Sequence, residues 1–413
     1  MKKLLALLLA LAMVACLFAG CAKDAEKPSD EKPSEQPSDT KGNEEPSSEP
    51  TGETYKIAMI TDYGDITDQS FNQTTYEACK QFADANNVEF KYYKPTENNT
   101  AARVASIDQA IEEGFNLIVM PGYAFGGAIV EAAPQNKDVK FFALDVAKGD
   151  LLEAAVPNYD YQPDKYNLED YVDMSNVYCV VYQEELCGYM AGYAAVKLGY
   201  TKLGFLGGMA VPAVMRYGYG YVQGVDAAAK EMNINVEMKY VYGGQFYGDS
   251  DITAVMDTWY AGGTEIVFAC GGGIFTSAAE AAKKVNAKVI GVDVDQAAII
   301  DGGYGEGMTV TSAMKGLAPA TIDTLTDIIN NGNWSKYVGQ IATLGLVTGD
   351  DPTLNYVQIP METTQWEDGK FTQDDYKALV KDMFDGKITV SNDISVEPTV
   401  TNVAVDYQGQ IKG

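Results

Sequence analysis

Residues 57–60, IAMI, run straight into residues 61–73, TDYGDITDQSFNQ, and apolar positions at Phe71, Ala78, Cys79 and Phe82 follow at helical spacing. An apolar strand, an acidic and aromatic turn and an amphipathic helix make the opening unit of an α/β sheet. In such sheets ligands sit at the carboxyl ends of the strands. Asp68 or Ser70 can cap the helix. By spacing alone, Asp62, Gly64 and Asp65 equally make a plain turn and Phe71 a packing residue. The rest of the chain decides between the two.

From residue 55 onward the same alternation repeats. Candidate strands lie at 57–60, 88–92, 117–120, 141–144, 177–182, 203–206, 236–241, 266–269 and 289–292, with helical stretches at 101–113, 126–136, 184–198, 214–232, 249–261 and 275–285. Continuous apolar strands joined by crossover helices imply parallel sheets covered on both faces. So many strands suit two lobes better than one sheet. A break is expected at 149–175 (containing PNYDYQPDKYNLEDY), with a second sheet starting at 177. Residues 302–307 are glycine-rich but miss the phosphate-loop spacing and read as a loop. A short strand at 309–311, helices at 314–331 and 374–384, Gly386 as a C-cap and a last strand near 387–390 complete the pattern. Residues 350–370 carry no readable function.

Composition narrows the function classes. The 413 residues, 46% hydrophobic and 21% charged, suffice for two ordinary domains beyond a leader. A net charge of −28 argues against a nucleic-acid partner. The absence of histidine removes His-dependent triads and His-ligated metals. No metal or cofactor is expected. Residues 1–20 read as a signal peptide, with Lys2 and Lys3 before an apolar run. LFAGC, ending at Cys21, resembles a bacterial lipobox, with Cys21 the lipidated residue; Cys16 is the alternative, and an ordinary secretory signal the plainer reading. Residues 21–54, rich in Lys, Pro, Ser and Glu, read as a disordered tether holding the body clear of a membrane. Cys79, Cys179, Cys187 and Cys270 read as buried single thiols, with the pairing of Cys179 and Cys187 left open.

Several longer stretches then carry a resemblance. TDYGDITDQSFNQ, LIVMPGYAFGGAIVEAA with VKFFALD, QEELCGYMAGYAAVKLG with LGFLGGMAVPAVMRYGYGYVQG, and TEIVFACGGGIFTSAAEAAKK with VIGVDVDQ and VTSAMKG occur in this order. Together they resemble the basic membrane protein (BMP) family of bacterial lipoproteins, whose PnrA-like members are purine nucleoside receptors of ABC transporters. The resemblance covers roughly residues 55–390. It implies an α/β, two-lobed type I periplasmic-binding-protein-like clamshell, each lobe a parallel sheet flanked by helices, preceded by a lipoprotein signal and a disordered tether. Lobe 1 is expected at 55–178 and 291–345, lobe 2 at 179–290 and 346–413, with three crossings between them.

The resemblance also assigns roles. Phe71 and Tyr217 would sandwich a base, although Tyr219 and Tyr221 compete for the second place and core packing is the plainer reading. Asp62 and Asn72 would meet the base edge, unless Asn72 only braces the helix. Asp293 would accept the ribose hydroxyls, with Lys315 donating to the ribose or neutralising Asp293; an interlobe salt bridge is the alternative. Gly122 and Gly272 would bring backbone close to the ligand. The implied protein is a non-catalytic receptor, lipid-anchored on the outer face of the cell membrane. Its partners would be a nucleoside and an ABC transporter permease, and its state a monomer. A ligand sensor, a surface lipoprotein binding a sugar and a carboxylate-driven nucleoside hydrolase are the competing classes.

Overall fold

The computed structural model describes residues 54–412. The expected signal peptide, lipidated Cys21 and nearly all of the tether lie outside the described residues. β1 (Lys56–Ile60) is buried from its second residue on, as a central parallel strand must be. The chain continues through α1 (Phe71–Asn86), β2 (Glu89–Tyr93), α2 (Thr100–Glu112), β3 (Leu117–Pro121), α3 (Gly126–Ala132), β4 (Lys140–Leu144), α4 (Lys148–Ala155) and β5 (Val177–Tyr182). These strands pair in parallel in the order β2-β1-β3-β4-β5.

After Gln183 the chain enters the second lobe with α5 (Glu184–Lys197), β6 (Lys202–Gly207), α6 (Pro212–Met232), β7 (Val236–Tyr242), α7 (Ser250–Ala261), β8 (Ile266–Cys270), α8 (Phe275–Val285), β9 (Lys288–Asp293), α9 (Ala297–Tyr304) and β10 (Thr309–Lys315). It then returns: α10 (Leu317–Leu325) packs on α1, and β11 (Ile341–Leu344) pairs with β5. Last come β12 (Val357–Gln358), antiparallel to β10, then α11 (Gln373–Phe384) and β13 (Val403–Gln410), parallel to β7. The second sheet runs β12-β10-β9-β8-β6-β7-β13.

The three crossings lie side by side. Gln183 N–H donates to Leu344 O at 2.9 Å, Gly316 N–H to Tyr356 O at 2.6 Å, and Tyr356 N–H to Gly345 O at 3.0 Å. A shared apolar core joins the lobes behind them, from Ile57 and Val180 through Tyr217 to Phe268 and Tyr376. Each sheet's other face has a core of its own.

Several expectations are corrected. β5 does not open a second sheet; it pairs with β4 from Phe141↔Val177 onward, so a boundary at 178 would cut a strand of the first sheet, which the chain first leaves only at Gln183. Residues 291–315 belong to the second sheet rather than to lobe 1. β9 pairs with β8 and β10 with β9, and a break at 291 would split β9. Asp293 and Lys315 therefore come from the second lobe. Gly302 and Gly303 lie inside α9, and α4 occupies the start of the expected break. The expected helix over 314–331 begins only after the strand ends at Lys315. No strand forms at 387–390; the last one is β13. Cys79, Cys179, Cys187 and Cys270 are buried and unpaired. Among the described residues no helix is long and apolar enough to cross a membrane.

α5 and α6 approach until their backbones touch, because glycines face each other. A Cβ on Gly188 would lie 2.2 Å from Tyr217 O, and one on Gly220 2.1 Å from Glu185 O. The contact sets where α5 presents Glu184 and α6 presents Arg216 and Tyr217. Backbone cannot yield as a flexible side chain can, so Gly220→Ala should cost about 1–3 kcal/mol through overpacking. Urea unfolding measures this, and an unchanged midpoint would mean that the helices have slack.

Candidate functional site

The carboxyl ends of β1, β3 and β4 face those of β8, β9 and β10 across a cavity of about 370 Å³, within the size range of small-molecule sites. All eight residues expected from sequence lie in its wall: Asp62, Phe71, Asn72, Gly122, Tyr217, Gly272, Asp293 and Lys315.

β1 delivers Asp62. Its Oδ1 accepts the N–H groups of Tyr63 (2.6 Å) and Gly64 (2.7 Å), which shapes the turn. Its Oδ2 packs over Gly122, where a Cβ would come within 2.9 Å and where φ is +125°. Glycine is needed there on both counts. Burial pushes the Asp62 carboxyl above the usual range, against the two amides and Arg103.

The capping of α1 explains how its first residues reach the cavity. The Asp68 carboxylate accepts the N–H groups of Ser70 (3.0 Å), Asn72 (2.9 Å) and Gln73 (3.0 Å). With the cap supplied by Asp68, the Ser70 hydroxyl is free to donate to Asp293 Oδ2 in the other lobe at 2.6 Å. Phe71, half-buried, follows, and its ring centroid lies 4.6 Å from Lys315 Nζ. Asn72 donates from Nδ2 to Asp68 at 3.1 Å, while its Oδ1 is buried with no partner. Bracing the helix and offering an acceptor are therefore compatible.

Lys315 sits where the lobes meet. Its ammonium contacts Asp145 at the end of β4, with Asp293 at 3.6 Å and Glu184 at 3.8 Å. Burial alone would pull its pKa down; the carboxylates of Asp145, Asp293 and Glu184 outweigh that and push it up. Burial pushes the Asp293 carboxyl up, with Lys315 and Ser70 pulling it down. Asp145 and Asp293 both have left-handed backbone, φ 59° and 64°, a conformation that side chains other than glycine, Asn and Asp adopt rarely.

Tyr217 is only 1% exposed, its ring edge-on to Phe268 and its hydroxyl 3.4 Å from Asp293 Oδ1. It presents little open face. Tyr219 and Tyr221 point into the core against Tyr240 and Phe205, so neither replaces it. The second lobe also brings half-buried Phe246 and exposed Tyr247 to the cavity wall, both unanticipated from sequence, and Phe246 packs the deeper of the two. Its ring lies 6.4 Å from that of Tyr63, and a Cβ on Gly208 would come within 2.3 Å of it. Gly272, at φ 51°, leaves room for the Phe246 backbone, whose oxygen a Cβ there would meet at 2.8 Å. Tyr63 and Tyr123, in the cavity wall from the first lobe, reach Met209 Sδ of the second at 3.4 and 3.9 Å.

Asp145, Asp150 and Arg216 were also unanticipated. Asp145 had a usable signal, since FFALD and VIGVD both place Asp at a strand end. Asp150 and the Phe246 loop have none. Arg216 donates from Nε to buried Glu184 at 2.7 Å. Among the described residues no group of three or more Cys, Asp or Glu side chains is placed to hold a metal ion.

Two α/β lobes with parallel sheets, three crossings and a cleft between the strand ends define a periplasmic-binding-protein-like fold. A solute-binding protein of an ABC transporter system from Aeropyrum pernix superposes with a TM-score of 0.59 at 20% identity, covering 82% of this chain and 88% of that one. One from Conexibacter woesei gives 0.59 at 22%, covering 82% and 99%. The family profile Bmp, described as ABC transporter substrate-binding protein PnrA-like, matches residues 55–364, and the chain belongs to that family. Among its relatives is the nucleoside-binding protein BmpA of Lactococcus lactis subsp. cremoris, 25% identical over 353 residues, covering 81% of this chain and 88% of that one. Basic membrane protein B of Borreliella afzelii is 28% identical over 303 residues, covering 71% and 79%. The chain is thus a substrate-binding protein of an ABC transporter, and its family is one of binding proteins, not enzymes.

Asp150, in the cavity wall, has its carboxyl pushed up to about 7 by burial, against the Ala147 N–H and Arg216. Between the ordinary carboxylate value and about 7, the folded chain keeps a proton that the unfolded chain has released. Stability is therefore lost as pH rises through 7. Asp150→Asn keeps an acceptor for Ala147 and removes the titration. Its melting temperature relative to the parent should improve from pH 5 to about pH 7 and then level off towards pH 8; a constant difference across the range would place the Asp150 titration elsewhere.

Proposed function

We propose that the cleft binds a purine nucleoside and presents it to an ABC transporter permease. The observation that carries this reading is the layout of three consecutive residues. Ser70 reaches the Asp293–Lys315 end, Asn72 reaches the Asp62 end, and Phe71 lies between them. A nucleoside has the matching order of parts: a ribose diol, a flat base and an edge of donors and acceptors. Asp293 with Lys315 suits the diol, Phe71 the face of the base, and Asp62 with Asn72 Oδ1 its edge. The nucleoside-binding activity in the name of the Lactococcus relative supports the same ligand class.

Charge in the wall refines it. Asp62, Asp65, Asp68, Asp145, Asp150 and Asp293 line the cavity against Lys94, Arg216 and Lys315. An excess of acid accepts hydroxyl and N–H donors and repels a phosphate. The reading of Cys21 as a lipid anchor, with the tether behind it, places this cleft outside the membrane.

Calorimetry on protein stripped of ligand by unfolding and refolding tests the proposal. Guanosine, adenosine or inosine should bind at micromolar concentration or tighter, cytidine and ribose should not, and nucleoside 5′-monophosphates should bind at least about tenfold more weakly than the nucleosides. Asp293→Ala should weaken riboside binding by about 10- to 100-fold, the loss of a buried acceptor whose partners stay unpaired. Binding of ribose alone would discard the base site. Equal affinity in parent and variant would remove Asp293 from it.

A further inference from the structure

The family match ends at residue 364, and β13 lies beyond it. β13 is also the one strand of the second sheet without a counterpart in the first. The first sheet, β2-β1-β3-β4-β5-β11, maps onto β7-β6-β8-β9-β10-β12, and β13 is added outside β7. Its register to β7 is regular from Val403↔Val236 to Tyr407↔Tyr240, then shifts at a bulge containing Gly409, φ 70°. Past the bulge, Ile411 and Lys412 run along the loop that follows β7.

That loop, residues 243–249, places Phe246 in the cavity wall. Ile411 N–H donates to Tyr242 O at 2.8 Å, at the loop's first anchor. A Cβ on Gly244, φ 86°, would meet Lys412 O at 2.7 Å, so the two backbones lie in contact. At the loop's far end the Lys412 ammonium contacts Asp249 and lies 3.4 Å from Asp251. Asp249 also caps α7 through the Asp251 and Ile252 N–H groups at 3.0 and 3.1 Å. It holds Gln245 Nε2 at 2.9 Å as well. Both ends of the loop, and one residue inside it, are thus tied to Ile411 and Lys412.

We infer that β13 with Ile411 and Lys412 is a clamp that positions the Phe246 ring in the cleft and so sets ligand affinity from outside the cavity. The affinity part rests on the reading of the cleft as a nucleoside site; the clamp itself does not. Ile411 and Lys412 touch no cavity surface, so they are positioning residues.

Two readouts on the full chain keep the parts separate. Hydrogen–deuterium exchange without ligand should show the 243–249 peptide exchanging at least fivefold faster in Lys412→Met and in Ile411→Pro, which removes the N–H bonded to Tyr242. Peptides of the first sheet should be unchanged. Unchanged exchange at 243–249 in both variants overturns the clamp. Inosine calorimetry should then show at least a fivefold weaker Kd for Lys412→Met, restored by Lys412→Arg. In a Phe246→Ala background Lys412→Met should cause no further loss. A loss of the same size in both backgrounds, or no loss in either, would show that the clamp does not act through Phe246. A parent that binds no inosine would sink the nucleoside reading alone, and the exchange result would still decide the clamp.

Discussion

Lys315 is buried at the meeting of two lobes, and its charge is tolerable only because both lobes answer it. Taking an ammonium out of water costs several kcal/mol, and a single carboxylate in imperfect geometry seldom offsets that. Asp145 comes from the end of β4 in the first sheet, Asp293 from the end of β9 in the second, and Glu184 from the helix that carries the chain between them. The second lobe supplies Lys315 and Asp293, and the first supplies Asp145 with Ser70. Separating the lobes would take Asp145 from Lys315 and Ser70 from Asp293, leaving Lys315 with only the looser contacts to Asp293 and Glu184 at 3.6 and 3.8 Å in its own lobe.

The two lobes are built on one plan, and the ion cluster sits on its axis. Matching strands end in matching residues: FFALD and VIGVD close β4 and β9, each with an aspartate in left-handed backbone aimed at the same lysine. Glycines follow β3 and β8 in the same way. What differs between the halves is where chemistry is placed. The first lobe offers carboxylate and amide at Asp62 and Asn72, while the second offers the Phe246 ring and a glycine floor beneath it. The resulting cleft has polar groups at both ends and aromatic surface between and around them.

Much of the architecture was legible because its signals are local. Buried parallel strands are apolar throughout, so β1, β3, β4, β5, β8 and β9 stand out, and α8 was readable to its limits. Lobe membership was not legible, since it depends on which strand pairs with which. β5 and β9 look alike as apolar runs, yet one ends the first lobe and the other sits inside the second. None of the edge strands β11, β12 and β13 was expected: β11 and β12, of four and two residues, are too short to show a period, whereas β13 alternates from Val403 to Gln408 and carried a readable signal. Of the cleft, the residues named from resemblance all fall in one wall, but resemblance could not say that Asp68 caps α1 and releases Ser70. Nor could it say that Tyr217 is packed while Phe246 is half-buried. These follow from three-dimensional competition for hydrogen bonds and space.

The interleaving of the lobes has a consequence for how the chain can acquire its structure. The first sheet lacks its last strand until residues 341–344 are made, by which point the whole second lobe up to β10 has already been passed through. The second sheet in turn waits for β12 and β13. Neither lobe can finish as a unit in the order of synthesis, and many stabilising pairs join residues more than a hundred positions apart. Contacts of such long sequence separation are slow to close and leave sheet edges open in the meantime. The same threading that lets three neighbouring strands of backbone link the lobes therefore makes late-arriving residues the keystones of early-made sheets.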